Sequence, residues 1–104
     1  MTAITPNDYV MVAAALFAIG AAGAIVRRNA LVLLMSIELM LNAANLVFIA
    51  YARQYGDPGG HALAFFVMAI AAAEAAVGLA IVIGVFRTRQ TVEVDELDAL
   101  RDET

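Results

Sequence analysis

The chain alternates between long apolar runs and short polar segments. The first run, without any charge, covers residues 9–26, the second covers 30–52 with few polar interruptions, and the third covers 62–86. A helix of about 20 apolar residues crosses a hydrocarbon core of roughly 30 Å. The pattern therefore predicts an all-α integral membrane protein with three transmembrane helices at about 6–26, 30–52 and 62–86. We expect them to run up-down-up in a single membrane domain, 1–104.

The polar segments indicate where the predicted helices begin and end. Thr5 is a candidate N-cap, Pro6 suits the first helical position and Asp8 suits the first turn. Segment 53–61 is rich in Gly, Pro and Asp, which favours a loop between the second and third helices. No Lys or Arg precedes the first apolar run, whereas a signal peptide begins with a positive segment. We therefore expect the first helix to be a retained span.

The composition supports a membrane protein and excludes several kinds of site. Hydrophobic residues make up 63% and charged residues 15% of the chain, whereas a soluble domain has about 25% charged residues. The chain has no cysteine and one histidine, which excludes disulfides, thiolate metal sites and iron–sulfur clusters. We expect this chain to bind no cofactor and no metal. Its net charge of −4 gives no indication of nucleic-acid binding.

The arginines, which are the only cations besides the histidine, predict the orientation in the membrane. Arg27 and Arg28 lie in the first connection, Arg87 and Arg89 follow the third run, and the second connection has only Arg53. Positively charged connections stay on the cytoplasmic side. We therefore expect the N-terminus outside, and the first connection and the C-terminus in the cytoplasm.

The tail, residues 87–104, holds most of the acidic residues. Val94, Leu97 and Leu100 recur at three-residue intervals, which allows a short helix that docks on a neighbouring subunit. A solvated tail with little order is the alternative that the composition leaves open.

Small residues recur at spacings of three and four along the first and third runs. They include the alanines at 13–15, Gly20, Gly23 and much of the stretch 69–84. Such faces let membrane helices approach closely. Because bulky side chains are scarce in the middle of the third run, we expect the chain to be packed within a larger membrane assembly, as part of a hetero-oligomer.

Two acidic residues lie inside the apolar runs. Glu38 is about eight residues into the second predicted helix and Glu74 about twelve before the end of the third, or roughly 12 Å and 18 Å from the same end. A carboxyl group at such a depth costs about 2.5–3.5 kcal/mol on insertion scales and is by default functional. One interpretation is a neutral, hydrogen-bonded carboxyl that holds helices together. The other is a station that accepts and releases protons.

The neighbours of these carboxyls favour a proton pathway. Glu38, Asn42 and Asn45 follow the spacing i, i+4, i+7, so they share one face, and Ser36 lies on the opposite one. Around Glu74, small residues at 71 and 78 leave room for water or for a partner side chain. Every arginine lies at a helix end or in the tail, so a cationic partner at membrane depth must come from another polypeptide. His61 is interpreted as a polar loop residue, and no pattern indicates a catalytic centre in this chain.

These residues resemble a known family. Arg27-Arg28-Asn29, SIELMLNAANL at 36–46 and AAAEAAVGLA at 71–80 are similar to the subunit K family of bacterial proton-translocating NADH:quinone oxidoreductases (complex I), whose mitochondrial counterpart is the 4L subunit. The resemblance covers about residues 8–101. It is specific because both glutamate motifs are present together.

The resemblance implies a subunit of a redox-driven translocase in the bacterial inner (plasma) membrane, with three spans and the N-terminus outside. Its partners are the lipid bilayer and the quinone-proximal and antiporter-like subunits of the membrane arm. Flavin, iron–sulfur clusters and quinone are expected in partner subunits. By motif match, Glu38 and Glu74 belong to the hydrophilic axis of the arm, and Arg27 and Arg28 are the cytoplasmic-loop arginines linked to activity.

Three alternatives compete with this resemblance. The small C-type component of multisubunit cation/proton antiporters has a similar size and number of spans, but is understood to lack the two-glutamate pattern. A small multidrug exporter usually has four spans and a carboxylate in the first, where this chain has none inside the apolar run. A purely structural assembly subunit remains the third alternative.

Overall fold

The computed structural model describes residues 3–89 and 92–94, except for the side chain of residue 89, and confirms the predicted all-helical fold. The helices are α1 (Pro6–Val26), α2 (Ala30–Tyr55) and α3 (Pro58–Arg89). Within each, the apolar part has a mean hydropathy of 2.3, 2.0 and 2.4 in chain order. All three helices are long and apolar enough to cross a membrane.

Polar side chains begin the first two helices. The Thr5 backbone N–H donates to Asp8 Oδ2 at 2.7 Å, and the Thr5 hydroxyl donates to the same oxygen at 3.2 Å. At the start of α2, Asn29 Oδ1 accepts from the backbone N–H groups of Leu31 and Val32 at 2.9 and 3.3 Å. These bonds satisfy N–H groups that a helix start otherwise leaves unpaired.

The predicted loop at 53–61 is wrong, because only Gly56 and Asp57 separate α2 from α3. Gly56 adopts a left-handed conformation with φ 63°, which ends α2 at Tyr55 instead of residue 52. Asp57 Oδ1 accepts from the Gly59 N–H at 2.8 Å, and Pro58 occupies the first helical position of α3. The same Asp and Pro that suggested a loop therefore start a helix, which also continues past residue 86 to Arg89.

The middle helix, α2, packs against both of the others. Its face towards α1 includes Ser36 and Ala43, whereas the opposite face places Asn45 and Ala52 against α3. The buried apolar residues of the described chain are alanines, namely Ala13, Ala43, Ala50, Ala52 and Ala64. In the described part, no large side chain is fully buried, and many large apolar side chains are exposed. The exterior of this bundle is therefore suited to lipid or to neighbouring membrane helices.

Glycines let α1 approach α2 closely. A Cβ atom placed on Gly20 would lie 2.8 Å from the carbonyl oxygen of Ser36, and one on Gly23 would lie 2.5 Å from Ser36 Oγ. Both distances are too short for a side chain at either position. The predicted role of Gly20 and Gly23 in close packing is confirmed, and so is the placement of Ser36 away from the Glu38 face.

The start of the tail returns to the first connection. The Ala30 N–H donates to the Val92 carbonyl at 2.8 Å, and the Val94 N–H donates to the Arg28 carbonyl at 3.1 Å, forming an antiparallel bridge between Asn29 and Glu93. The first connection and the tail therefore lie at the same end of the bundle, as the arginine distribution predicts. The remainder of the predicted tail helix, with Leu97 and Leu100, lies outside the described residues.

The α1–α2 contact predicts that Gly20→Val lowers the free energy of unfolding by about 1–3 kcal/mol, because the new side chain overlaps Ser36 and Met40. Unfolding of the purified chain in mixed micelles, titrated with sodium dodecyl sulfate, measures this change. Gly84→Val is the matched control, since a Cβ there meets no described atom within 4 Å. Equal stability of the two variants would contradict the packing described here.

The same contact predicts a disulfide between Gly23→Cys and Ser36→Cys. The Cβ positions are 3.6 Å apart, within the range of about 3.5–4.5 Å that a disulfide requires. The natural chain has no cysteine, so thiol-specific alkylation followed by mass measurement reports only the new pair. The control pair, Gly84→Cys with Ser36→Cys, is expected to stay reduced under the same oxidation.

Candidate proton-transfer site

The packing register brings the two buried-run glutamates to one level. Leu34 lies against Gly78 and Ala52 lies against Gly60, and in both antiparallel pairs the residue numbers add up to 112. The same rule pairs Glu38 with Glu74. The sequence alone suggested depths about 6 Å apart, because it measured each from the end of its own helix. In the structure, α3 continues beyond the level at which α2 begins.

Glu38 opens onto a groove between α2 and α3. The side chain is half-buried, and Asn42, one helical turn further along, is exposed on the same groove. The groove has a volume of about 490 Å³, and its other lining residues are all apolar: Leu31, Leu34, Met35, Leu39, Ala75 and Leu79. Glu38 therefore combines a mostly apolar environment with a hydrogen-bonding amide nearby and space for a second group.

Glu74 has different surroundings. Its side chain is exposed in the single chain, and it does not line the groove of Glu38. The expected free space beside it at Gly78 is wrong, because a Cβ on Gly78 would lie 3.0 Å from Leu34 Cδ1. The small residue admits Leu34 of α2 and so fixes the register. Glu74 is accessible from outside the chain, where a neighbouring helix can meet it.

Asn45 departs from the predicted polar row. Its side chain is 5% exposed, and its Nδ2 donates to the Ala64 carbonyl of α3 at 3.2 Å. No described group donates to its Oδ1. Glu38 and Asn42 thus share the groove, whereas Asn45 links α2 to α3 two turns further along.

The two arginines of the first connection lie at one end of the bundle. Arg27 caps α1, with its N–H donating to the Gly23 carbonyl at 3.1 Å, and both arginine side chains are exposed. Glu38 is eight residues along α2, or about 12 Å from the helix start. The structure therefore does not bring Arg27 or Arg28 next to the carboxyls.

Sequence reasoning missed two parts of this arrangement. Ala75 and Leu79 complete the groove from α3, which only the register reveals. The return of the tail was also missed, although valines at 92 and 94 on either side of Glu93 show the alternation of an extended segment. Within the described residues, no group of three or more histidine or acidic side chains is placed to hold a metal ion.

The comparison with known families gives a match over nearly the whole chain. The family described as NADH-ubiquinone/plastoquinone oxidoreductase chain 4L matches residues 8–102. The chain belongs to this chain 4L family. Its predicted resemblance is thereby confirmed, and the family takes the place of the antiporter alternative.

Similar members of the chain 4L family come from several bacteria. The chain is 64% identical to NADH-quinone oxidoreductase subunit K of Anaeromyxobacter sp. (strain Fw109-5) over 90% of this chain and 94% of that protein. It is 60% identical to the subunit K of Myxococcus xanthus, over 89% and 93%. The subunit K of Salinibacter ruber is 52% identical over 94% and 97%.

Membership in the chain 4L family defines the biochemical setting. The protein is a multi-pass membrane subunit of NADH-quinone oxidoreductase, the electron-transport complex I, and its partners are other subunits of that complex. The unpaired outer surfaces of its helices agree with such a setting.

The Asn45 contact predicts that Asn45→Asp destabilises the α2–α3 pair by about 1–3 kcal/mol near neutral pH. An ionised Asp has no N–H to give to the Ala64 carbonyl, so two acceptors face each other in a buried position. Unfolding in mixed micelles measures the loss, which is expected to shrink at acidic pH as the new carboxyl becomes a donor. Asn42→Asp, the same change on an exposed position of α2, is the control. An equal loss for both would contradict the special role of Asn45.

Proposed function

We propose that this subunit takes part in redox-coupled proton translocation, with Glu38 and Glu74 as the carboxyls that change protonation during turnover. The observation that carries the proposal is the register that sets both side chains at one level of the α2–α3 pair, within the apolar length of each helix. Two acids at such a position cost several kcal/mol of insertion free energy. A structural role alone could be filled more cheaply by glutamine.

The surroundings of Glu38 support proton exchange. The groove exposes its carboxyl beside Asn42 while keeping the walls apolar. A carboxyl group in such a place can be neutral or charged according to what occupies the groove, since a nearby donor or cation favours the charged form. Proton release can then be coupled to the movement of a neighbouring group.

The outward position of Glu74 supports transfer to another subunit. In the described chain every arginine lies at a helix end, so a cationic partner for Glu74 at membrane depth comes from a neighbouring polypeptide. The family resemblance identifies the neighbours as quinone-proximal subunits on one side and antiporter-like subunits on the other. Flavin, iron–sulfur clusters and quinone belong to partner subunits, and this chain supplies no catalytic centre.

The proposed orientation places the N-terminus outside and the C-terminus in the cytoplasm of a bacterial inner membrane. The arginine distribution supports it, with two cations in the first connection and one in the second. The bridge between segment 92–94 and the first connection supports a common side for both. Arg27 and Arg28 then face the cytoplasm, where they anchor the topology and can contact an acidic group.

The proposal predicts that Glu38→Gln combined with Glu74→Gln lowers proton pumping per NADH oxidised by at least about tenfold, a typical loss when a proton-transfer group is removed. Glutamine is nearly isosteric but cannot exchange a proton. Acidification of inverted membrane vesicles during NADH oxidation measures pumping. Gel analysis of the solubilised membrane shows whether the complex has assembled.

Matched controls separate the proton role from a structural one. Asp8→Asn makes the same chemical change at the exposed start of α1 and is expected to leave pumping intact. Glu38→Asp keeps a carboxyl in the groove and is expected to retain part of the pumping. An assembled double glutamine variant that pumps normally would support the purely structural alternative instead.

A further inference from the structure

The tyrosines of the chain are gathered at one end of the bundle. Tyr9 lies near the start of α1, and Tyr51 and Tyr55 lie in the last turns of α2, where their rings stack with centroids 6.2 Å apart. These are the three tyrosines of the chain. Tyrosine is enriched at the membrane–water interface, where its ring is in lipid and its hydroxyl in the headgroup region. The end of the bundle with the Gly56 turn therefore lies at headgroup level.

A cavity of about 420 Å³ opens at this level, between the start of α1 and the end of α2. Four of its lining residues carry polar side chains: Thr5, Tyr9, Arg53 and Gln54. The others, Ile4, Pro6 and Ala50, give it an apolar wall. A cavity with a cation, hydrogen-bonding groups and an apolar wall is suited to an amphipathic anion.

Arg53 provides the charge in this cavity. Among residues 3–89 and 92–94, it is the arginine at this end of the bundle, and no described acidic side chain pairs with it. Two acids lie near this end, but both are engaged elsewhere. Asp8 Oδ2 accepts from Thr5, and Asp57 Oδ1 accepts from the Gly59 N–H, and neither lines the cavity.

We propose that this cavity binds the headgroup phosphate of an anionic phospholipid. The Arg53 guanidinium offers a planar set of donors that matches phosphate oxygens, and the Tyr9 hydroxyl and the Gln54 amide can donate beside it. The apolar wall at Ile4 and Ala50 continues towards the membrane interior and accommodates the glycerol and the first acyl carbons. This binding site is independent of the proton-translocating role proposed above.

A lipid fits this cavity better than free phosphate for two reasons. The tyrosines set its depth at the headgroup layer, where phospholipid phosphates are concentrated. The apolar wall, which has no use in binding inorganic phosphate, can contact the lipid chain. The excess of cation over acid in the lining favours a lipid with net negative charge over a zwitterionic one.

Photolabelling of the full-length purified chain in nanodiscs tests this site. Phosphatidylglycerol with a photoreactive headgroup is expected to label segments 4–9 and 50–54, as mapped by peptide mass spectrometry. Arg53→Gln is expected to reduce this labelling at least about fivefold, and Tyr9→Phe about twofold, whereas Arg53→Lys retains at least half, because it keeps the charge. Arg27→Gln, at the opposite end of the bundle, is the control and leaves the labelling of these segments unchanged.

Three results would overturn the proposal. Undiminished labelling in a folded Arg53→Gln variant, with the wild-type circular dichroism and elution, removes the guanidinium from the site. Equal labelling by an analogous phosphatidylcholine probe shows that the anionic charge is not recognised. Displacement of the lipid probe by millimolar inorganic phosphate assigns the cavity to free phosphate instead.

Discussion

Close contact between small residues on α2 and its two neighbours is the constraint on which the rest of this structure depends. Gly20 and Gly23 admit Ser36 on one face of α2, and Gly60 and Gly78 admit Ala52 and Leu34 on the other. In a membrane, helices gain little from the hydrophobic effect on associating, so close van der Waals contact must hold them together. The contacts with α3 also fix the register, and the register alone sets the two glutamates at one level.

The packing that fixes the register also leaves the chain incomplete. A bundle held by alanines and glycines buries no large side chain in its described part, and its outer surface is apolar. Glu74 is exposed on that surface, so lipid contact there would leave a carboxyl in hydrocarbon at a cost of several kcal/mol. A neighbouring subunit with a donor or a cation at that depth removes this cost. The position of Glu74 is thus understandable only within complex I, to which the family assigns the chain.

Much of the fold could be predicted from the sequence, because each helix carries its own signal. Apolar runs of sufficient length predicted three spans, and Thr5 and Pro6 marked the start of α1 within the correct turn. The second connection was predicted too long, because Asp, Pro and Gly occur both in loops and at helix starts. Only the left-handed Gly56, followed at once by the Asp57 cap, distinguishes the two cases.

The site was predictable as a set of residues but not as an arrangement. A helical repeat places Glu38, Asn42 and Asn45 on one face, yet it does not say which of them meets α3. That depends on the register, since a shift of one turn would bring a different residue to the Ala64 carbonyl that Asn45 now contacts. The shape of Leu34 against Gly78 selects the register, and this fit is a property of two helices together. The polar row therefore divides: Asn45 stabilises the helix pair, which leaves Glu38 and Asn42 to the groove, where a mobile group can reach them.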